Sequence, residues 1–222
     1  MRNWLKSLFP RPVCPLCGAP GEPGFLICCS CRHTVEEFRS RGILLLPGGM
    51  VISVVPHQGH FRQSVLKLKY RGGTHLAPVM GFLMAEAFLR GPGGVRKPDA
   101  VTWVPGHRVR DGQRGYHPAG LLGKEVAACL GVSPENLLER SAGEIQAGLS
   151  GRRRAENVAG RFRFRKYGGS TPRSVLLVDD VVTSGATLQE CARVLSRAGA
   201  EKIYCLTFST GNPQVFHSRE PL

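Results

Sequence analysis

The sequence predicts an α/β fold, a mainly parallel sheet flanked by helices, preceded by a small N-terminal metal-binding unit. Four successive apolar residues, Val175, Leu176, Leu177 and Val178, show no polar alternation and describe a strand covered on both faces. Strand-like and helix-like stretches alternate from residue 51 to residue 208, the pattern of a parallel sheet. Two Cys-x-x-Cys pairs stand ahead of them, at Cys14 with Cys17 and Cys28 with Cys31.

At 222 residues the chain holds one sizeable α/β core plus an accessory unit, and its 42% hydrophobic content is ordinary for a globular protein. The apolar runs at 43–46 and 51–55 are strand-sized, far short of a membrane span. Residues 1–9 carry basic and apolar side chains without a long apolar core or a small-residue cleavage site, so the expected location is cytoplasmic. Lysine and arginine outnumber the acids by 30 to 16, a formal charge of +14. That field attracts nucleic acid, acidic membranes and phosphorylated metabolites alike, and an arginine-rich genome gives the same balance.

In chain order the cysteines come first. Two residues between thiols let a tight knuckle present both sulfurs to one tetrahedral ion, and two knuckles complete a four-cysteine zinc site. Pro15 and Gly18 suit the turn. So short a segment buries too little apolar surface to fold alone, so the metal supplies its folding energy. Disulfides or a redox pair are the competing readings, and a cytoplasmic setting disfavours both. Cys29 is an alternative to Cys28, with a poorer one-residue spacing to Cys31. Cys129, Cys191 and Cys205 fall in apolar patterns and are expected in the core.

Pro47, Gly48 and Gly49 mark a boundary, giving an N-terminal unit over residues 1–47 and a main domain over 48–222. Residues 51–55 read as a strand, 60–70 and 75–89 as helices, 99–104 as the next strand and 120–130 as its helix. The connection 105–117 lies at a strand's carboxyl end and is rich in arginine and glycine. It suits pyrophosphate, with Arg114 among its forked donors and Gly115 allowing close backbone approach; a solvated basic loop is the plain alternative. Residues 146–158 form a long polar excursion of the kind that makes lids. A helix over 188–198, stopped by Gly199, and a strand over 203–208 complete the core.

Asp179 and Asp180 directly follow the doubly buried strand, where ligand crevices of open α/β sheets lie. Thr183, Ser184, Gly185, Ala186 and Thr187 then offer hydroxyls and successive backbone N–H groups, and Gly185 frees the turn. The helix that follows aims partial positive charge at the same cup, which fits a phosphate. No Gly-Lys-Ser/Thr follows, which excludes a Walker-type loop; an ordinary capped strand-turn-helix remains the alternative.

Residues 175–187 as a whole resemble the phosphoribosyl pyrophosphate signature of type I phosphoribosyltransferases. The order of motifs resembles the ComF family of competence proteins over nearly the whole chain. Two cysteine knuckles are followed by Leu68-Lys69-Tyr70-Arg71-Gly72, then Val104-Pro105 leading to Arg114-Gly115-Tyr116. Gln146 to Ser150 with Arg154, Asn157 and Val158 come next, and then the signature. The family usually shows Val-Pro-Val-Pro and Arg-Gly-Phe-Asn-Gln, where this chain has Thr102-Trp103-Val104-Pro105 and Arg114-Gly115-Tyr116-His117-Pro118.

The resemblance implies a type I phosphoribosyltransferase-like sheet with a structural zinc unit, binding phosphoribosyl pyrophosphate together with Mg2+. Asp179 and Asp180 would hold the ribose, and Thr183, Ser184, Gly185, Ala186 and Thr187 the 5′-phosphate. Arg114 and the Gly115 backbone would take the charge developing on pyrophosphate, while Arg154 would close over the site. Phosphoribose would pass to an acceptor the sequence does not name, recognised by a hood formed by the segment through Leu46. A different class of function also follows: a non-catalytic adaptor in DNA uptake, meeting single-stranded DNA or a competence helicase, with the fold kept as a ligand sensor or scaffold.

Overall fold

The computed structural model describes residues 12–46, 49–91, 97–106, 108–141, 160–165 and 171–212. In chain order its elements are α1 (Cys29–Phe38), β1 (Ile43–Leu46), β2 (Gly49–Pro56), α2 (Gly59–Tyr70) and α3 (Ala77–Leu89). They continue with β3 (Ala100–Trp103), α4 (Arg108–Arg114), α5 (Pro118–Leu130), β4 (Ser133–Pro134), β5 (Leu138–Arg140) and β6 (Phe162–Phe164). The last three are β7 (Ser174–Val182), α6 (Ala186–Arg197) and β8 (Lys202–Thr210).

Six strands form one sheet in the order β1-β2-β8-β7-β3-β4, parallel throughout except for β1 against β2. β7 lies inside the sheet and is apolar on both faces because helices cover both. Leu176 and Val178 join a core with Phe61 of α2, Met80 of α3 and Leu122 of α5. Val175 and Leu177 join another with Leu188, Cys191 and Leu195 of α6. Each such Leu or Val stabilises the buried strand by roughly 1.5–3 kcal/mol, and a one-residue slip would exchange the two faces.

β7 runs further than the apolar run suggests. On one side β3 stops, its last bond being from the Val104 N–H to the Val178 carbonyl at 2.9 Å. On the other, β8 keeps pairing as far as Val182 with Thr210. Asp179 and Asp180 are thus strand residues on a ledge where one neighbour has ended, not the first residues beyond the strand.

The boundary expected after residue 47 falls inside the β1–β2 hairpin, since residues 43–46 pair in register with 49–52. The cysteine segment is continuous with the core: Cys14, Leu16, Ile27 and Cys31 share a buried cluster with Phe61, Val65 and Leu68 of α2. Ser64 Oγ donates to the Leu16 carbonyl at 2.8 Å across that junction.

The loop expected over 105–117 contains the short helix α4. α5 starts on Pro118, with His117 Nδ1 accepting the Gly120 N–H, and stops on Gly131 at φ +62°. Cys191 and Cys205 are buried as expected, but Cys129 lies on the exposed side of α5. β5 and β6 form a separate antiparallel ribbon. The polar excursion 146–158, with Arg154, lies outside the described residues. Among those described, no helix is long and apolar enough to cross a membrane.

Candidate functional site

Consecutive strand residues project to opposite faces, and the two acids on the ledge do so. Asp180 faces α2, where its Oδ1 lies 2.7 Å from Lys69 Nζ, and it is 6% exposed. Asp179 faces α6, where its charge acts on the buried thiols of Cys191 and of Cys205 in β8. One of its oxygens accepts the Asp180 N–H at 2.8 Å. Burial first, and then the Asp180 charge, push the Asp179 carboxyl up to about 8 against the pull of Lys69. At neutral pH the ledge therefore carries one ion pair and one largely protonated acid. Asp179 is in register with Thr207, which is in register with Ser53, and the hydroxyls of those two are 2.8 Å apart.

The last turn of α2 gathers the loops around this ledge. Lys69 reaches β7, the Leu68 carbonyl accepts from the Tyr116 hydroxyl at 2.7 Å, and the Tyr70 ring carries the Arg114 guanidinium 4.8 Å from its centre. Burial pulls the Lys69 ammonium down, but Asp180, by attraction and hydrogen bond, and then Asp179 outweigh it, so the net shift is upward. A lysine in a last helical turn is also favoured by the helix dipole. Beside it, His57 is fixed to β8, its N–H donating to the Thr210 carbonyl at 2.8 Å and its Nδ1 lying 2.9 Å from Ser209 Oγ. Burial, and then the charges of Lys69 and Arg62, lower the His57 pKa and keep the ring neutral.

Beyond Val182 the chain turns into α6 through Thr183, Ser184 and Gly185. Gly185 has φ +80°, and a Cβ there would stand 2.6 Å from Leu46 Cδ1, so both the backbone conformation and the packing of β1 demand glycine. Thr183 and Ser184 are exposed, while Ala186 and Thr187 are half-buried. Ser184 Oγ accepts the Ala186 N–H at 3.4 Å, and Asn212 Nδ2 anchors the turn by donating to the Thr183 carbonyl at 2.8 Å. Helix geometry leaves the first-turn N–H groups without intrahelical acceptors. The turn therefore presents amide donors next to exposed hydroxyls.

Arg114 stands 3.7 Å from Asp111 as well as over Tyr70, and Gly115 has φ +73° with open space around it. The structure thus joins Asp179, Asp180 and residues 183–187 in one strand-turn-helix, and ties Arg114 to that ledge through α2. A cleft of about 580 Å3 opens next to the 105–117 loop, between Trp103 and His117 on one side and Asn136 and Arg165 on the other. Trp103 lies flat against α5 because Gly123 leaves room; a Cβ there would be 2.8 Å from the ring. Burial lowers the His117 pKa despite nearby Asp111, leaving a neutral cap.

The sulfurs of Cys14, Cys17, Cys28 and Cys31 all lie within 4.8 Å of one another, and none is in a disulfide. Cys14 to Cys31 is 3.8 Å and Cys17 to Cys28 is 3.5 Å. Sulfurs about 2.3 Å from a tetrahedral ion stand about 3.8 Å apart, close to the two spacings here, so this cluster could hold a metal such as zinc. In the first knuckle the Gly18 N–H donates to the Cys14 carbonyl at 2.8 Å, with Gly18 at φ +78°. The second opens α1, with Cys28 as its N-cap. Cys29 is exposed and outside the cluster.

His57 and Asn212 carry no signal in the sequence, and Lys69 stands out there only as part of the Leu68-Lys69-Tyr70-Arg71-Gly72 motif, with no role attached to its ammonium.

A family model described as the phosphoribosyl transferase domain matches residues 144–221. The chain is 28% identical, over 87% of its length and 83% of the other's, to the DNA utilization protein YhgH of Salmonella typhimurium. It is 27% identical to competence protein ComFC of Bacillus subtilis, over 89% of this chain and 77% of that one. Competence protein F of Haemophilus influenzae is 34% identical over 49% of each chain. The helix-flanked, mostly parallel sheet bearing this domain is a type I phosphoribosyltransferase fold.

Proposed function

We propose that this chain, which belongs to the ComF family of competence proteins, binds phosphoribosyl pyrophosphate with Mg2+ and transfers phosphoribose to an acceptor. The observation that carries this reading is the ledge, where Asp179 and Asp180 outlast β3 and lead directly into an amide-rich turn. In this reading the carboxylates of Asp179 and Asp180, which lie on opposite faces of β7 in the free chain, turn to the ribose hydroxyls at the strand end when ligand binds, Asp179 in its deprotonated form, while the amides and hydroxyls of residues 183–187 hold the 5′-phosphate. Carboxylates and diphosphate are the hard oxygen donors that Mg2+ accepts, and its charge would offset that of the diphosphate. Lys69 holds the Asp180 carboxylate in place while the site is free. Arg114 and the Gly115 backbone receive charge developing on the leaving pyrophosphate, and Arg154 closes the site, so catalysis is mainly positional and electrostatic.

Zn2+ on Cys14, Cys17, Cys28 and Cys31 is structural in this proposal, since four protein ligands leave no open position for chemistry. The segment through Leu46 serves as a hood for the acceptor, supported by the packing of Leu46 on the Gly185 turn. A cytoplasmic location suits the unpaired thiols.

A second reading, an adaptor for single-stranded DNA or a competence helicase in DNA uptake, draws on the +14 charge and on Phe25. Phe25 is 51% exposed and its ring lies 3.6 Å beneath the Arg32 guanidinium, an arrangement that suits base stacking. Names of relatives that refer to competence and DNA utilization support a place in that process.

Calorimetry with phosphoribosyl pyrophosphate, with and without Mg2+, tests the binding, and isotope exchange between labelled pyrophosphate and the ligand tests transfer. Absence of binding with Mg2+ present sinks the ribose-phosphate site. Binding without exchange in the presence of candidate acceptors leaves the sensor. Affinity for single-stranded DNA that falls steeply with salt supports the adaptor.

A further inference from the structure

We infer that His60 is an outer-shell member of the metal centre, donating a hydrogen bond from the phosphoribosyltransferase-like domain to the Cys31 thiolate. The inference rests on the proposal that the four thiols hold zinc. His60 Nε2 lies 3.3 Å from Cys31 Sγ, and His60 belongs to the first turn of α2, away from both knuckles in sequence.

Four thiolates on a divalent ion leave a net negative charge on the cluster, and Cys31 is fully buried. Buried charge of this kind is tolerated when N–H donors point at it. Cys17 has a local donor, the Ala19 N–H at 3.5 Å from its sulfur. Cys31 lies in the first turn of α1, and the N–H that follows it in the chain is taken by the helix ladder, that of Arg32 donating to the Cys28 carbonyl at 3.0 Å. The imidazole of His60 supplies the missing donor, with its proton on Nε2. The His60 carbonyl lies 3.0 Å from Ser64 Oγ and shares that hydroxyl's single proton with the Leu16 carbonyl of the first knuckle, which is closer at 2.8 Å. The start of α2 is therefore bonded to both knuckles, to one by the histidine ring and to the other by the serine hydroxyl.

Outer-shell partners of this kind change metal affinity by roughly 10–100-fold. The test uses the full zinc-loaded chain and two variants close in size to the imidazole, His60→Gln, which keeps an N–H, and His60→Leu, which does not. Zinc transfer to a chelating dye gives the relative affinity, and the thiolate-to-metal absorption band of the cobalt-substituted chain reports the ligand field. His60→Leu should lose zinc about 10–100-fold more readily, with a shifted band, while His60→Gln stays near the parent. Equal behaviour of the two variants, whether both weak or both unchanged, overturns the inference, because packing would then account for the contact. Should the leucine variant not fold, His60→Met makes the same comparison. A parent chain that neither carries nor takes up zinc removes the metal reading itself, a failure distinguishable from that of His60.

Discussion

Lys69 Nζ lies 2.7 Å from Asp180 Oδ1, joining the last turn of α2 to the ledge of β7. The two side chains are 27% and 9% exposed, so the acid has little solvent to turn to if the lysine is lost. Fully buried pairs cost about 3–5 kcal/mol when broken from one side, and partial hydration lowers that figure. Lys69→Met is expected to cost about 2 kcal/mol, and Lys69→Met/Asp180→Asn to recover most of it. A double-mutant cycle by denaturant unfolding measures the coupling. Simply additive losses would show that the ends of this contact act independently.

Asp179 works in the opposite sense. Its carboxyl titrates near 8 in the folded chain and near 3.9 in an unfolded one. Between those values the folded protein keeps a proton that the unfolded chain has released. Stability attributable to this group therefore falls as pH rises from about 4 to about 8 and is level above. Asp179→Asn should raise the melting temperature by a few degrees at pH 8 and change it least near pH 4. Melts across that range decide the matter, and a gain that does not grow with pH would exclude the protonated acid.

If the ionised form of Asp179 takes a ribose hydroxyl, the same titration governs ligand affinity. Binding of phosphoribosyl pyrophosphate with Mg2+ should strengthen as pH rises toward about 8. Asp179→Asn/Asp180→Asn should abolish it while leaving fold and zinc content intact. Calorimetry at pH 6 and pH 8.5 provides the comparison, and undiminished binding by the double variant would remove the acids from the site.

What was legible in the sequence was what depends on local period or spacing. The run at Val175, Leu176, Leu177 and Val178 announced β7 because helices on both faces erase polar alternation. The helix read over 120–130 is α5, which starts two residues earlier on Pro118, and the cysteine spacing alone placed four sulfurs within reach of one ion. The ion pair of Lys69 was not legible, because β2, which leads into α2, is separated from β7 by β8, a strand from the far end of the chain. The divergence of Asp179 and Asp180 was hidden for a related reason: only the length of β8 reveals that both acids are still in a strand. α4 lacked an apolar period, and residues 43–46 gave no hint that they would form the edge strand of the main sheet, paired to β2.

Gly185 meets two independent demands, a left-handed backbone and the close approach of Leu46. Gly185→Ala should therefore cost about 1–3 kcal/mol, more than strain alone. Adding Leu46→Ala should recover the packing share and leave the share due to φ. If the turn holds the 5′-phosphate, Gly185→Ala also weakens ligand binding, and Leu46→Ala does not restore it fully. Unfolding and calorimetry on the three variants separate these contributions.

Removal of the metal probes how far the N-terminal segment is a unit of its own. Cys14, Leu16, Ile27, Cys28 and Cys31 share one buried cluster with α2 and α3, and Ser64 bonds the first knuckle directly to α2. A chelator, or Cys14→Ser, should therefore lower the melting temperature of the main transition rather than add a separate early one. Hydrogen exchange should accelerate first in α1 and the opening turns of α2, while β7 and α6 stay protected. The last turn of α2 is the place to watch, since it carries Lys69 to the ledge. Faster exchange there, with weaker ligand binding, would follow from loosening of the helix at its anchored end. An early, isolated transition with α2 fully protected would instead show that the cysteine segment unfolds alone, as the boundary near residue 47 supposed.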